Sequence, residues 1–145
     1  MFKHILIATA GSDLAQRAVD HGLALAKALG AKASAVTVTP SLATVAPGKA
    51  AVMIPMEDYV RATNENAAAI LASVEASAKR LGVDCALLHE RDQLPSEGIL
   101  AAAQGAGADL IVMSSHGRRG LERLFLGSQA QEVLTHSTIP VLICR

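Results

Sequence analysis

The sequence predicts an α/β fold: one domain, with a five-stranded parallel sheet covered by helices on both faces. Three observations carry that prediction. Five short apolar runs alternate with four stretches whose apolar residues recur at helical spacing. The helical stretches fall between the strands, as parallel neighbours require crossover connections. At 145 residues the chain has the size of one domain and can bury a real core.

Taken in order, Lys3 to Thr9 is continuously apolar after its first two residues, which suits a strand covered on both faces. Gly11-Ser12-Asp13 breaks it and starts a helix. Either Ser12 or Asp13 can be the N-cap, and Asp13 would place Gln16 for a capping box. Leu14, Ala18, Gly22, Leu25 and Leu29 then recur at helical spacing, and Gly30 suits the position after the helix. Ala33 to Thr39 is the second strand. Pro40 to Met56 has three prolines, a glycine and no periodicity, and reads as a long loop. Val60, Asn64, Ala67, Leu71, Val74, Ala78 and Leu81 step by four and three, an amphipathic helix closed by Gly82. Asp84 to Glu90 is the third strand. Pro95 opens a helix to about Gln104, ended by Gly105 and Gly107. Ala108 to Ser114 is the fourth strand, Gln129 to His136 the last helix and Ile139 to Cys144 the fifth strand.

Composition narrows the function classes. Thirteen basic and thirteen acidic side chains cancel, so nothing draws the chain generally to nucleic acid or anionic membrane. Aromatic residues are limited to Phe2, Tyr59 and Phe125, which removes the stacking platforms of single-strand nucleic-acid binders. Cys85 and Cys144 sit in apolar strand patterns with no CxxC spacing and read as buried, reduced thiols. The apolar run Ile5 to Ala8 is too short for a signal peptide, and no stretch approaches a membrane span. A cytoplasmic protein is expected.

The segment from Ser114 to Gln131, S-S-H-G-R-R-G-L-E-R-L-F-L-G-S-Q-A-Q, carries the most chemistry. It leads from a buried strand through a glycine-bearing loop into a helix N-terminus. Such loops hold phosphates, because glycines admit backbone N–H groups close to an anion and the helix's first turn faces it with unpaired N–H groups. In a doubly wound sheet, ligands bind at the carboxyl ends of the strands, where the strand order reverses. That rule gathers the loop after strand one (Thr9 to Asp13) and the loop after strand four (Ser114 to Ser128) into one place. The loop after strand two is positioned to cover them. Ser128 lies three residues before Gln131, an S-x-x-Q capping box, so its hydroxyl is placed to cap the last helix or to bind phosphate.

From K-H-I-L-I-A-T to I-P-V-L-I-C-R the chain resembles the universal stress proteins. The family's nucleotide-binding members carry G-x-x-G, nine residues, then G followed by Ser or Thr; here the matching positions are Ser114 to Gly117, nine residues, then Gly127-Ser128. The resemblance implies a Rossmann-like sheet in the order 3-2-1-4-5 and an adenine nucleotide, ATP or AMP, with Mg²⁺ as a possible companion. It implies that adenine and ribose lie against Ala8, Thr9, Ala10 and Val38. Ribose and α-phosphate would approach Met113, Ser114 and Gly117, with His116 acting through its backbone. The outer phosphates would be held by N–H groups near Gly127, Ser128 and Gln129. It further implies a homodimer through the apolar edge strand Ile139 to Cys144, paired antiparallel with its copy.

Two departures stand out. Ser114 replaces the motif's first glycine, and its β-carbon limits backbone approach. The loop after strand one reads Ala10-Gly11-Ser12 where nucleotide-binding relatives usually have an aspartate before Gly-Ser, so a carboxylate for ribose or adenine is missing. Each lost hydrogen bond weakens binding by about 1 kcal/mol. Two readings therefore stand: a nucleotide-binding regulatory dimer, and an interaction dimer that binds no nucleotide. Arg118, Arg119 and Arg123 are suited to triphosphate oxygens, although loop arginines are commonly solvated surface. His116 has no carboxylate nearby in sequence to orient it as a base, and the other four histidines show no metal-ligand spacing. Asp13 and Asp20 are most simply a cap and a solvated face. Met53 and Met56 are placed either to line the pocket mouth or to plug the loop onto its own domain. With neither a GxxxxGK[ST] phosphate loop nor an S-G-G-x-D-S loop, no catalytic residue is assigned; any hydrolysis would be slow.

Overall fold

Alternate residues of the first strand, β1 (His4–Ala8), serve two different cores. Ile5 and Ile7 point to one face of the sheet and Leu6 and Ala8 to the other, and the three large side chains are wholly buried. This is why the run is apolar without alternation: both faces are covered. A computed structural model of the chain describes residues 1–116 and 126–145.

On the first face lie α1 (Asp13–Leu29) and α4 (Met56–Leu81), whose Ala18, Leu23, Val74 and Ala78 pack on Ile5, Ile7, Ala35 and Val112. On the second lie α5 (Pro95–Ala106) and α6 (Ser128–His136), whose Ile99, Ala102, Ala130 and Val133 meet Leu6, Val36, Ile111 and Met113. Burying each such large aliphatic side chain stabilises the fold by about 1.5–3 kcal/mol. The remaining strands are β2 (Lys32–Thr39), β3 (Cys85–Arg91), β4 (Leu110–Ser114) and β5 (Val141–Cys144). All pairs are parallel and the sheet order is β3-β2-β1-β4-β5, the order the resemblance implied. The chain moves outward from β1 to β3, returns to β4 and leaves the other way to β5. The reversal between β1 and β4 places a crevice at their carboxyl ends.

Two glycines set the helix positions. A β-carbon on Gly22 of α1 would lie 2.6 Å from Ile7 Cγ1, and one on Gly98 of α5 would lie 2.6 Å from Val38 Cγ2. Each helix therefore approaches the sheet more closely than any side-chain-bearing residue permits. At the opposite end from the crevice, Asp109 ties β1 to β4. Its carboxylate accepts the N–H of Lys3 at 2.9 Å and of His4 at 3.0 Å, and these bonds, His4 first, hold its pKa below the usual carboxylate value.

The structure corrects several boundaries. Ser12 rather than Asp13 caps α1, its hydroxyl accepting the Ala15 N–H at 3.1 Å; the Gln16 side chain instead reaches Asp20 and Ser77. The expected loop from Pro40 to Met56 contains two one-turn helices, α2 (Leu42–Val45) and α3 (Lys49–Val52), and α4 begins at Met56, a turn before Val60. Both one-turn helices are too short to show a period, so the pattern concealed them. Gly105 lies inside α5, and Gly107, in the left-handed conformation, closes it alone. Cys85 is only half-buried, while Cys144 is buried; both thiols are free. Burial pushes the Cys85 thiol up to about 11. Among the described residues no helix is long and apolar enough to cross a membrane.

Candidate nucleotide site at the carboxyl edge

The β1 exit is a tight, internally satisfied turn. Thr9 donates its N–H to Val36 O at 3.0 Å and is buried, and its hydroxyl accepts the Gly11 N–H at 3.3 Å. Gly11 adopts φ +80°, which favours glycine, and Ser12 then caps α1. Ala10 is exposed and offers no carboxylate at this turn.

Register sets the β4 exit beside it. Ile7 pairs with Val112, so two residues further on Thr9 and Ser114 leave the sheet side by side. Ser114 Oγ donates to His116 O at 2.8 Å, and Ser115 Oγ lies 3.0 Å from His116 Nδ1. The backbone of Ser115 is held from both sides: its N–H donates to Cys144 O at 2.8 Å and its carbonyl accepts the Gly127 N–H at 2.7 Å. Gly127 thus abuts the β4 exit directly. A β-carbon there would lie 3.1 Å from Ser115 O and 3.3 Å from His116 Cα and would crowd the β4 exit; its φ of −62° is ordinary.

Gly127 is also the N-cap of α6, its carbonyl accepting the Gln131 N–H at 3.0 Å. This corrects the expected capping box. The helix opens one residue earlier than predicted, so Ser128 occupies the first helical position and its hydroxyl is not the cap, while the Gln131 side chain donates to Leu126 O at 2.9 Å. The amides of Ser128 and Gln129 belong to a first turn whose N–H groups have no acceptor within the helix. No acidic residue stands in that turn, so the helix itself supplies no carboxylate against the positive end of its dipole. The Gln129 side chain points elsewhere: its Oε1 accepts the Ser96 N–H at 2.8 Å, at the start of α5.

Of the predicted site residues, the fold brings Thr9, Ala10, Ser114, His116 and Gly127 to one edge between β1 and β4, with Ser128 and Gln129 following at the start of α6. Ala8, Val38 and Met113 belong to the core beneath, on the α5–α6 face, and Val38 packs on Gly98. The Ala8 and Met113 side chains are buried in that core, and Val38 is partly buried against it. Gly117, Arg118, Arg119 and Arg123 lie outside the described residues. Among the described residues no three His, Cys, Asp or Glu side chains gather where they would hold a metal ion.

The sequence reading missed a polar group at the carboxyl ends of β2 and β3. Thr39 Oγ1 lies 2.7 Å from His89 Nε2, Arg91 donates to Thr63 and Asn64 of α4, and the Tyr59 hydroxyl donates to Pro40 O. Burial, and then the Arg91 guanidinium, hold the His89 pKa below the usual histidine value. Only the polar run H-E-R-D at the end of strand three hinted at this group.

The family model of the universal stress proteins matches residues 1–145. A universal stress protein of Thermus aquaticus is 38% identical over 154 residues, covering all of both chains. Universal stress protein MJ0531 of Methanocaldococcus jannaschii is 32% identical over 150 residues, covering 100% of this chain and 83% of its own. Among solved structures, a universal stress protein in complex with cAMP superposes with a TM-score of 0.73 at 29% identity, covering 99% of this chain and 97% of its own. Sheet order, crevice and these similarities agree: the chain belongs to the universal stress protein family.

Proposed function

We propose that this chain is a one-domain, cytoplasmic regulatory protein that binds an adenine nucleotide, ATP or AMP, in the crevice between the β1 and β4 exits and acts as a homodimer. One observation carries the reading. The N-terminus of α6, with no side-chain cap and no acid in its first turn, begins at a glycine packed against Ser115 and His116, at the reversal point of the sheet. Fixed N–H groups there favour an anion, and the absence of a side chain at Gly127 lets the start of the helix sit close against the β4 exit. The similar protein in complex with cAMP supports adenine as the base. Calorimetric titration with ATP and AMP, with and without Mg²⁺, tests this. Saturable binding that is lost in Gly127→Val and strengthened in Ser114→Gly is expected; no heat at millimolar nucleotide sinks the reading.

The alternative is an interaction dimer without nucleotide. It is favoured by Ala10, by the Ser114 hydroxyl bound to His116 O, and by the Gly127 N–H already donated to Ser115 O.

The edge strand supports self-pairing under either reading. Ile111 N–H donates to Pro140 O and Ser115 N–H to Cys144 O, so the even-numbered residues of this stretch turn their main-chain groups toward β4. By the alternation of the ladder, Val141 and Ile143 turn theirs to the free edge. The missing N–H of Pro140 faces β4 and leaves that edge unobstructed. Ser137 closes the strand at its start, its hydroxyl donating to Ile139 O and accepting Ile139 N–H. Leu142, 41% exposed, adds apolar surface beside this short, unguarded edge.

A further inference from the structure

Between Pro40 and Met56 the chain carries an apolar segment that the fold leaves unburied. No residue of α3 is buried; Val52 and Met53 are 86% and 82% exposed, and Met56 60%. Elsewhere among the described residues the exposed branched aliphatic side chains, Leu29, Val60, Leu94, Leu134 and Leu142, reach at most 43%, so the exposure of Val52 and Met53 stands apart. The segment is anchored at both feet. Leu42 and Ala46 are buried, and the Tyr59 hydroxyl binds Pro40 O, closing the base of the excursion. Between the feet the backbone is built to turn. Gly48 precedes α3 at φ +69° and ψ −138°, a conformation natural only to glycine, with nothing within 4 Å of its missing β-carbon. Pro55 forms the other end, directly before α4.

Resting on the nucleotide reading above, we infer that Val52, Met53 and Ile54 form a hinged cover that folds over the purine of the bound nucleotide. The place is right. The segment leaves the carboxyl end of β2, and Ala8 pairs with Val36, so β2 borders the β1 exit. The reach is sufficient: seven residue steps lead from Ala46 to Met53, up to about 25 Å extended, against a strand spacing of about 4.8 Å. The chemistry fits a base and a phosphate together. Among the described residues of the crevice there is no Phe, Tyr or Trp to stack on a purine, and methionine and branched aliphatic side chains give an adaptable apolar surface in its place. From Pro40 to Met56 the only charged residue is Lys49, so closure brings no acid against phosphate oxygens.

The chain has no tryptophan, so Met53→Trp provides a single emitting reporter at an exposed position. With ATP or AMP, its emission is expected to shift to the blue and saturate at the concentration found by calorimetry. In Val52→Ser/Met53→Ser the nucleotide is expected to dissociate roughly tenfold faster, with thermal stability unchanged. Calorimetric binding with an unmoved tryptophan spectrum and an unchanged dissociation rate overturns the cover and leaves the nucleotide site standing. No calorimetric binding overturns both.

Discussion

The Gly127 amide donates to the Ser115 carbonyl at 2.7 Å, so the two ends of the glycine-bearing loop are tied to each other at the mouth of the crevice. The room for that bond exists because Gly127 has no side chain. Gly127→Ala would place a methyl group 3.1 Å from Ser115 O and 3.3 Å from His116 Cα, both backbone atoms that must give by a few tenths of an ångström. A loss of about 1–2 kcal/mol is expected in urea unfolding, with a larger one for Gly127→Val. Unchanged midpoints in both variants would contradict this packing.

Gly22 of α1 sits closely over Ile7 of the sheet. Gly22→Ala gains about 1 kcal/mol of helix propensity, but its methyl group meets Ile7 Cγ1 at 2.6 Å inside a fully buried site. Overpacking costs about 1–3 kcal/mol, so net destabilisation is expected. Ile7→Val removes one of the two colliding atoms, Cδ1, and is expected to relieve part of the cost. A double-mutant cycle showing no coupling between the two positions would refute the close approach.

Asp109 makes stability depend on acid. Its folded pKa lies below the usual 3.8 because backbone N–H groups of His4 and Lys3 bind the carboxylate. A depressed carboxylate pKa contributes stability that is present above the unfolded value and lost as pH falls through the folded one. The wild-type protein is therefore expected to lose this contribution below about pH 4, and Asp109→Asn to lose that part of the slope. Parallel stability curves for the two proteins from pH 5 to pH 2 would be the contrary result.

The Cys85 thiol, pushed up to about 11 by burial, is expected to be sluggish. At pH 8 its thiolate fraction is about one in a thousand, roughly a hundredfold below that of a thiol at the ordinary 9.0. Cys144, also raised by burial, should behave in the same direction. Both should react with a disulfide reagent slowly in the native protein and rapidly in urea; fast native labelling of either residue counts against its placement.

At the sheet edge, Leu142→Lys would set like charges across a two-fold axis and is expected to shift sedimentation toward the monomer. Pro140→Ala restores an N–H that faces β4 and should leave assembly unchanged. A monomeric wild type would remove the self-pairing proposal altogether.

The strand and helix alternation was legible because the two periodicities differ and because both faces of the sheet must be apolar. Ile5, Leu6 and Ile7 announce a two-sided strand by being consecutive. Gly30, Gly82 and Gly107 mark helix ends because only glycine adopts the left-handed turn cheaply. The same glycine code misled at Gly105, which a helix interior tolerates. The spacing from Ser114 to Ser128 was readable as a motif, but not which hydrogen bonds its members form.

The local sequence alone determined the five strands, the four longer helices and their succession, since these follow from the run of apolar and turn-forming residues along the chain, while the Ser114 to Ser128 spacing carried the resemblance to the family. The tertiary structure alone decided that Gly127, not Ser128, caps α6, that the Gln129 side chain braces α5, and that Val38 lies beneath Gly98. It also decided that the apolar stretch Val52–Ile54 stays in solvent. The physical reason is distance along the chain. A cap contested between neighbours, a contact between residues 33 or 60 positions apart, and burial itself all depend on partners that no local pattern names.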